Sequence, residues 1–213
     1  MKTAVRLVKV TKSFQKEQVL KGITHSFEQG KIHGIMGFNG SGKTVMFKCI
    51  CGFLKPDSGT VVVQGQKIGW DVDFPKSVGM IIENPGFLPQ LGGFANLKRL
   101  AAIQRKVTDE QIRNSIAKVG LDPFSKKKVG QYSLGMRERL GIAQAIMENP
   151  SLLVLDEPFN GLDKRGALAV CQLLDELRSR GRTILLAAHN IMEIEYLCDT
   201  ICEMDAGVLT QLK

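Results

Sequence analysis

Apolar and polar residues alternate along "AVRLVKV" (4–10) and again along "GITHSF" (22–27), the period-two pattern of half-buried strands. The turn-prone "QKEQ" between them predicts an antiparallel pair. "KIHGIMG" (31–37) is a short, mostly apolar run ending in glycine, as a fully buried strand would be. "KTVMFKCICGF" (43–53) has helical spacing, with Val45, Cys49 and Gly52 on one side and Met46, Ile50 and Phe53 on another, and "KPDSG" makes a turn. "TVVVQG" and "SVGMII" read as further strands. From about 86 to 148 the period lengthens. "FANLKRLAAIQRK" carries an i, i+3/i+4 apolar stripe, and "TDEQIRNSIAKVG" opens with Thr108 and Gln111 at the spacing of a reciprocal cap. A third helix is predicted over roughly 134–148, stopped by "ENP". Strand and helix then alternate: "SLLVLDE", "DKRGALAVCQLLDELRSRG", "RTILLAA" and "NIMEIEYLC", before a polar hairpin at "DAG". Alternation of this kind implies a mostly parallel sheet in an α/β fold, with an N-terminal antiparallel β subdomain and an inserted helical subdomain. The division expected is one domain over 1–213, with a core from about 1–85 and 149–213 and the helical insert at about 86–148.

Composition narrows this picture only modestly. With 213 residues, 44% of them apolar and 23% charged, the chain is an ordinary globular domain large enough for a well-buried core. No apolar run reaches the roughly eighteen residues that span a bilayer. The N-terminal "MKTAVRLVKVTKSF" has no continuous apolar core of a secretory signal, so a cytoplasmic location is expected. Cys49, Cys51, Cys171, Cys198 and Cys202 form no paired framework and read as thiols in or near the core. Cys198 and Cys202 have the spacing of one helix face, but nothing completes a zinc set around them. The formal charge of +8 is concentrated at "KKK" (126–128) and at Arg178, Arg180 and Arg182. No aromatics interleave with these cations, so they read as surface facing an acidic partner or anionic membrane; no nucleic acid is expected.

Two motifs change the picture. "GFNGSGKT" places Gly37, Phe38, Asn39, Gly40, Ser41, Gly42, Lys43 and Thr44 between a predicted strand and a predicted helix. That is the context of a phosphate-binding loop. Glycines let backbone N–H groups converge on phosphate oxygens, Lys43 reaches the β- and γ-phosphates, and the Thr44 hydroxyl can ligate Mg2+. "LLVLDEP" puts two carboxylates at the C-terminal end of a buried strand, where α/β sheets bind ligands. Asp156 is placed to hold Mg2+, and Glu157 to polarise a water beside the γ-phosphate. The pair predicts a P-loop nucleoside triphosphatase. A guanine-reading [NT]-K-x-D is absent.

"YSLGMRERLGIAQAI" (132–146) then resembles the signature motif of ABC ATPases, whose usual core is Leu-Ser-Gly-Gly-Gln. The match lies at Ser133, Gly135 and the downstream "RLGIAQAI"; Tyr132, Leu134 and Met136 depart from it. Ser133 at a helix N-cap followed by Gly135 would present a hydroxyl and free N–H groups to an anion. "NGLD", ending at Asp163, resembles the family's D-loop, and "LLAAHN" carries His189 where the family has its switch histidine. Phe14 lies upstream of the P-loop, where the family stacks adenine on an aromatic ring; a strand-core role is the alternative. After "SVGMII" this chain has Glu83 where the family usually has Gln. With "YSLGMRERL", that looks like the branch of bacitracin-resistance and lantibiotic-immunity ATPases. Glu83 is expected either as a metal or water contact or in a structural role. Arg137 and Arg139 are left as either solvent-facing or functional.

The resemblance covers essentially the whole chain, and it implies an ATP-binding subunit using ATP and Mg2+. It also implies a second nucleotide-binding subunit, identical or paralogous, and an integral membrane permease holding both at the inner face of the membrane. Export of peptide antibiotics or other drugs follows from the branch. The alternative is a soluble ABC-type ATPase acting on nucleic acid or the ribosome. Against it stand a single domain and an interval between the two motifs filled by ordinary helices.

Overall fold

The computed structural model describes residues 2–83, 85–189 and 194–213. Two twelve-residue strands, β1 (Thr3–Phe14) and β2 (Glu17–Glu28), pair antiparallel across a tight turn at Gln15, which takes φ 54°. They form a four-stranded sheet in the order β2-β1-β4-β5 with β4 (Ser58–Val63) and β5 (Gln66–Lys67). Between β2 and β4 come β3 (Ile32–Met36) and α1 (Lys43–Ile50). The second sheet has the order β10-β9-β3-β8-β7-β6. Its β6 (Val78–Ile81), β7 (Leu152–Asp156), β8 (Thr183–Ala188), β3 and β9 (Thr200–Asp205) run parallel, and β10 (Val208–Gln211) returns antiparallel through Ala206 and Gly207.

Burial on both faces explains the continuous apolar runs in the central strands. Along β7, Leu152 and Val154 pack with α1 and the β1–β2 hairpin, while Leu153 and Leu155 pack with the helices of the opposite layer. Those helices are α2 (Gly93–Gln104), α3 (Asp109–Lys118), α4 (Leu134–Ile146) and α5 (Lys164–Ser179). The Thr108–Gln111 reciprocal cap forms as expected. Two elements had no legible pattern in the sequence: the two-residue β5 and a 3₁₀ turn at Val129–Gln131. The helix expected over 190–198 lies partly outside the described residues. Cys202 falls on β9, away from any helix shared with Cys198, because its neighbours pair with β3.

Helix α4 and strand β6 approach each other closely because glycines face the contact. A Cβ on Gly79 would collide with the Ala145 carbonyl, and one on Gly141 would lie 2.8 Å from the Pro85 ring. Helix α4 is thereby seated directly on the strand and loop that carry Glu83. The segment after that loop is pinned in turn by Asn96. Its carboxamide donates to the Leu88 and Gly92 carbonyls and accepts from the Leu88 N–H.

Candidate functional site

The loop 37–42 leaves the C-terminal end of β3, and α1 begins at Lys43. Glycine is required at both ends of the bend. Gly37 has no room for a Cβ against the Met204 carbonyl and Ser41 Oγ, and Gly42 holds φ 111° beneath Val19. Lys43 is 5% exposed. Its ammonium donates to the Gly37 carbonyl at 2.6 Å and the Phe38 carbonyl at 3.1 Å, and lies 3.9 Å from Glu157 Oε1. Ser41 Oγ is buried without a hydrogen-bond partner among the described residues, which leaves it free to meet a ligand. Phe38 points outward, 83% exposed.

At the neighbouring strand end, Thr44 Oγ1 donates to Asp156 Oδ2 at 2.6 Å. Burial pushes the Asp156 carboxyl above its ordinary value; the bond from Thr44 opposes the rise, and Glu157 adds to it. Glu157 sits at φ 52° and Glu83 at φ 59°, left-handed conformations that cost a non-glycine residue of order 1–3 kcal/mol and gather at functional sites. The Glu157 N–H donates to the Ala187 carbonyl at 3.0 Å, which holds the bend against β8. Its Oε2 lies 3.6 Å from His189 Nδ1. Glu83 points back to α1, its Oε1 accepting from Lys48 Nζ at 2.6 Å. Thr44, Glu83, Glu138, Asp156, Glu157 and Asn160 together line a cleft of about 270 Å³. Glu157 and Asn160 also line an adjoining cleft that includes His189.

This donor set fits a hydrated hard cation beside phosphates. Among the described residues no three His, Cys, Asp or Glu side chains converge to cage a metal alone. Mg2+ suits such a site, since it is usually held through one or two carboxylates, water and substrate phosphate oxygens.

Other expected residues lie elsewhere. Ser133 caps α4, its Oγ accepting from the Met136 N–H at 3.2 Å. Gly135 is buried against the Gly161 carbonyl, which a Cβ would approach to 2.6 Å. Asp163 caps α5 by accepting from the Gly166 N–H at 2.8 Å. Phe14 closes β1 with its ring 44% exposed and the Lys12 ammonium 5.7 Å above it, so it is not a core residue. Among the described residues lining the two clefts, none of Phe14, Ser133, Gly135 or Asp163 appears. Arg137 and Arg139 are braces: Arg137 donates to the Tyr132 carbonyl at 2.9 Å, and Arg139 to the carbonyls of Gly135 and Gly120 at 3.3 and 3.2 Å. Sequence reasoning missed Glu138, which is 5% exposed and whose carboxyl is raised by burial, with Arg137 opposing. In the sequence it stands between Arg137 and Arg139, and nothing there separates it from a solvent-facing charge.

The family model for ABC transporters matches residues 20–160. An uncharacterized ABC transporter ATP-binding protein, YybJ of Bacillus subtilis, is 43% identical over 205 residues, covering 96% of this chain and 94% of the relative. The bacitracin transport ATP-binding protein BcrA of Enterococcus faecalis is 38% identical over 213 residues, covering 99% of this chain and 69% of that one. Among solved structures, a dimeric ATP-binding cassette in a post-hydrolysis state with ADP and Pi superposes with a TM-score of 0.88 at 23% identity, covering 98% of this chain and 99% of the other.

Proposed function

The chain belongs to the ABC transporter family as an ATP-binding, ATP-hydrolysing subunit, and we propose that it powers export of a peptide antibiotic or similar drug through a separate membrane permease. The observation that carries the catalytic reading is the convergence of Lys43, Thr44, Asp156 and Glu157 at the ends of β3 and β7.

In this reading the ATP phosphates rest on the N–H groups of 37–42 and the N-terminus of α1, Lys43 neutralises the β- and γ-oxygens, and Phe14 stacks on adenine. Thr44 and Asp156 would hold Mg2+, with Glu83 as a metal or water contact. Bound there, Mg2+ supplies charge neutralisation across the transferred phosphoryl group. Glu157 accepts a proton from the water that attacks the γ-phosphorus as the bond to ADP breaks, and His189 steadies the γ-phosphate. The site is completed by a second copy or paralogue, whose Ser133 and Gly135 cover the phosphates and whose Asp163 loop borders them. Support for that arrangement is the position of Ser133: exposed, and absent from the lining of its own chain's cleft. The loop after Glu83 and helices α2–α4 carry the resulting motion to the permease, which holds the subunit at the cytoplasmic face of the membrane. The similarity to BcrA, a bacitracin transport protein, supports the choice of cargo class.

Glu157→Gln tests the catalytic assignment. It should bind ATP, accumulate as an ATP-bound dimer on size exclusion and release phosphate at least a hundredfold more slowly. Parental turnover in that variant would remove Glu157 from the mechanism. Affinity purification of the tagged chain from membranes should retain an integral membrane protein; its absence would sink the permease.

A further inference from the structure

Three charged residues of the cleft have partners. Glu83 is paired with Lys48 at 2.6 Å, Asp156 accepts from Thr44 at 2.6 Å, and Glu157 lies between Lys43 and His189 at 3.9 and 3.6 Å. Glu138 is the exception. It lines the same cleft from α4 and is 5% exposed, yet among the described residues it accepts no hydrogen bond and makes no ion pair. The adjacent Arg137 is already committed to the Tyr132 carbonyl. Burial raises the Glu138 carboxyl above its ordinary value, with the neighbouring Arg137 opposing the rise, so donors that enter the cleft would favour its charged form. Packing does not call for a charge there. Gly135, Leu140, Gly141 and Ile142 of the same helix are buried without one.

A cation or a set of donors entering the cleft that Glu138 lines would supply such a partner. Direct chelation is unsuitable, since no three acidic, His or Cys side chains of the described residues converge on one point. Water molecules around a bound cation are polarised donors, and carboxylates that hold such waters tune the affinity of a metal they never touch.

We propose that Glu138 is a positioning residue for the magnesium–nucleotide complex, accepting hydrogen bonds from the water shell of the metal bound beside Asp156. It acts from the signature helix of the same chain. Loading the cleft would therefore pull on α4, whose N-cap and first turn carry Ser133 and Gly135. The proposal rests on the reading of this cleft as the magnesium–nucleotide site.

Glu138→Gln keeps the size of the side chain and removes its charge, so two readouts move in opposite directions. Without nucleotide, relief of the uncompensated charge should raise Tm by about 3 °C. With a fluorescent ATP analogue as probe, the Mg2+ concentration giving half-maximal enhancement of binding should rise about tenfold, while affinity in EDTA stays the same. Direct Mn2+ binding in the presence of the analogue, followed by electron paramagnetic resonance, should weaken in parallel. Glu138→Asp keeps the charge on a shorter arm and should fall between the two; it also serves if the Gln variant misfolds. An unchanged Mg2+ requirement in whichever variant folds overturns the proposal, as does a lower Tm with unchanged Mn2+ binding, which is the signature of a packing role. Asp156→Asn distinguishes failure of the site from failure of this residue. If it too leaves the Mg2+ dependence unaltered, the reading of the cleft fails; if it abolishes the dependence and Glu138→Gln does not, only the role of Glu138 fails.

Discussion

Replacing Ser133 by aspartate should make the protein more stable and leave it catalytically dead. Ser133 is an N-cap with extended backbone (φ −63°, ψ 165°), and its Oγ accepts from the Met136 N–H. Aspartate caps as well as serine, and α4 has no acidic residue in its first turn to complement the helix dipole. The added charge is worth about 0.3–1 kcal/mol, which for a domain of this size raises Tm by roughly 1–4 °C. Ser133→Ala loses the cap, costs about 1 kcal/mol and lowers Tm by roughly 2–4 °C. Function should run the other way. If Ser133 meets the γ-phosphate held by a second subunit, a carboxylate there lies about 4 Å from a phosphate oxygen. At an effective dielectric constant near 20 that repulsion is about 4 kcal/mol per pair of unit charges, or roughly a thousandfold loss in forming the closed pair. The assays are scanning fluorimetry, binding of a fluorescent ATP analogue, and phosphate release measured against protein concentration. Ser133→Asp should bind the analogue normally and fail to hydrolyse, whereas Ser133→Ala should hydrolyse more slowly than the parent yet far faster than Ser133→Asp. Mixing Ser133→Asp with Lys43→Ala should restore partial turnover, because one intact composite site forms in the mixed pair. Parental hydrolysis by Ser133→Asp, or activity that simply follows Tm across the series, would refute the reasoning.

Gly135→Ala places a methyl 2.6 Å from the Gly161 carbonyl and 3.3 Å from Leu162 Cδ2. Overpacking of about 1–3 kcal/mol exceeds the roughly 1 kcal/mol gained in helix propensity. Tm should fall by a few degrees and phosphate release more than tenfold, with analogue binding unchanged; a parental rate would mean that this contact does not position the site. His33 is buried, with Nε2 donating to the Glu28 carbonyl at 2.9 Å and Nδ1 2.7 Å from the Thr200 hydroxyl. Burial holds its pKa, and that of His25, below the ordinary 6.5. Below pH 6.5 the unfolded chain takes up protons that the folded chain refuses. Stability complete above that pH is therefore lost as pH falls toward the folded values, by up to about 1.4 kcal/mol per pH unit for each histidine. Tm measured from pH 7.5 to 5.5 should drop, and less steeply in His33→Gln; equal slopes would clear His33.

Much of this architecture is legible because the physics is local. Alternation finds β1 and β2, capping spacing finds α3, and a glycine-rich turn between strand and helix finds the loop at 37–42. "LLVLD" reveals a buried strand because a sheet covered on both faces has no polar side. Illegible features depend on what a residue meets across the fold. Arg137 and Arg139 read as charges that could simply face solvent, yet they brace α4 through carbonyls of Tyr132, Gly135 and Gly120. Glu138, between them in the sequence, looks like one more solvent-facing charge. Its burial follows only from the seating of α4 on β6 and Pro85, which the glycines at 79 and 141 allow. Phe14 shows the converse: an aromatic at a strand end has the composition of a core residue, but β1 runs past the body of the sheet and leaves its ring exposed.

Capping at Ser133 and the ligand binding proposed there would be one physical arrangement. An α-helix begins with N–H groups that have no intrahelical acceptor. In α4 the Ser133 side chain takes the Met136 N–H and the first helical bond runs from Arg137 to the Ser133 carbonyl, which leaves the Leu134 and Gly135 N–H groups outside both. Two such donors at the positive end of a helix form an anion site only if the turn holds its shape. The cap holds it from one side, and Arg137 and Arg139, bonded to the carbonyls of Tyr132 and Gly135, hold it from the other. A substitution that loosens the cap, such as Ser133→Ala, should therefore weaken the proposed half-site in proportion to the lost stability. One that keeps the cap and inverts the charge, such as Ser133→Asp, should abolish the proposed half-site while the fold gains stability. A residue that only capped its helix would give the first result and never the second.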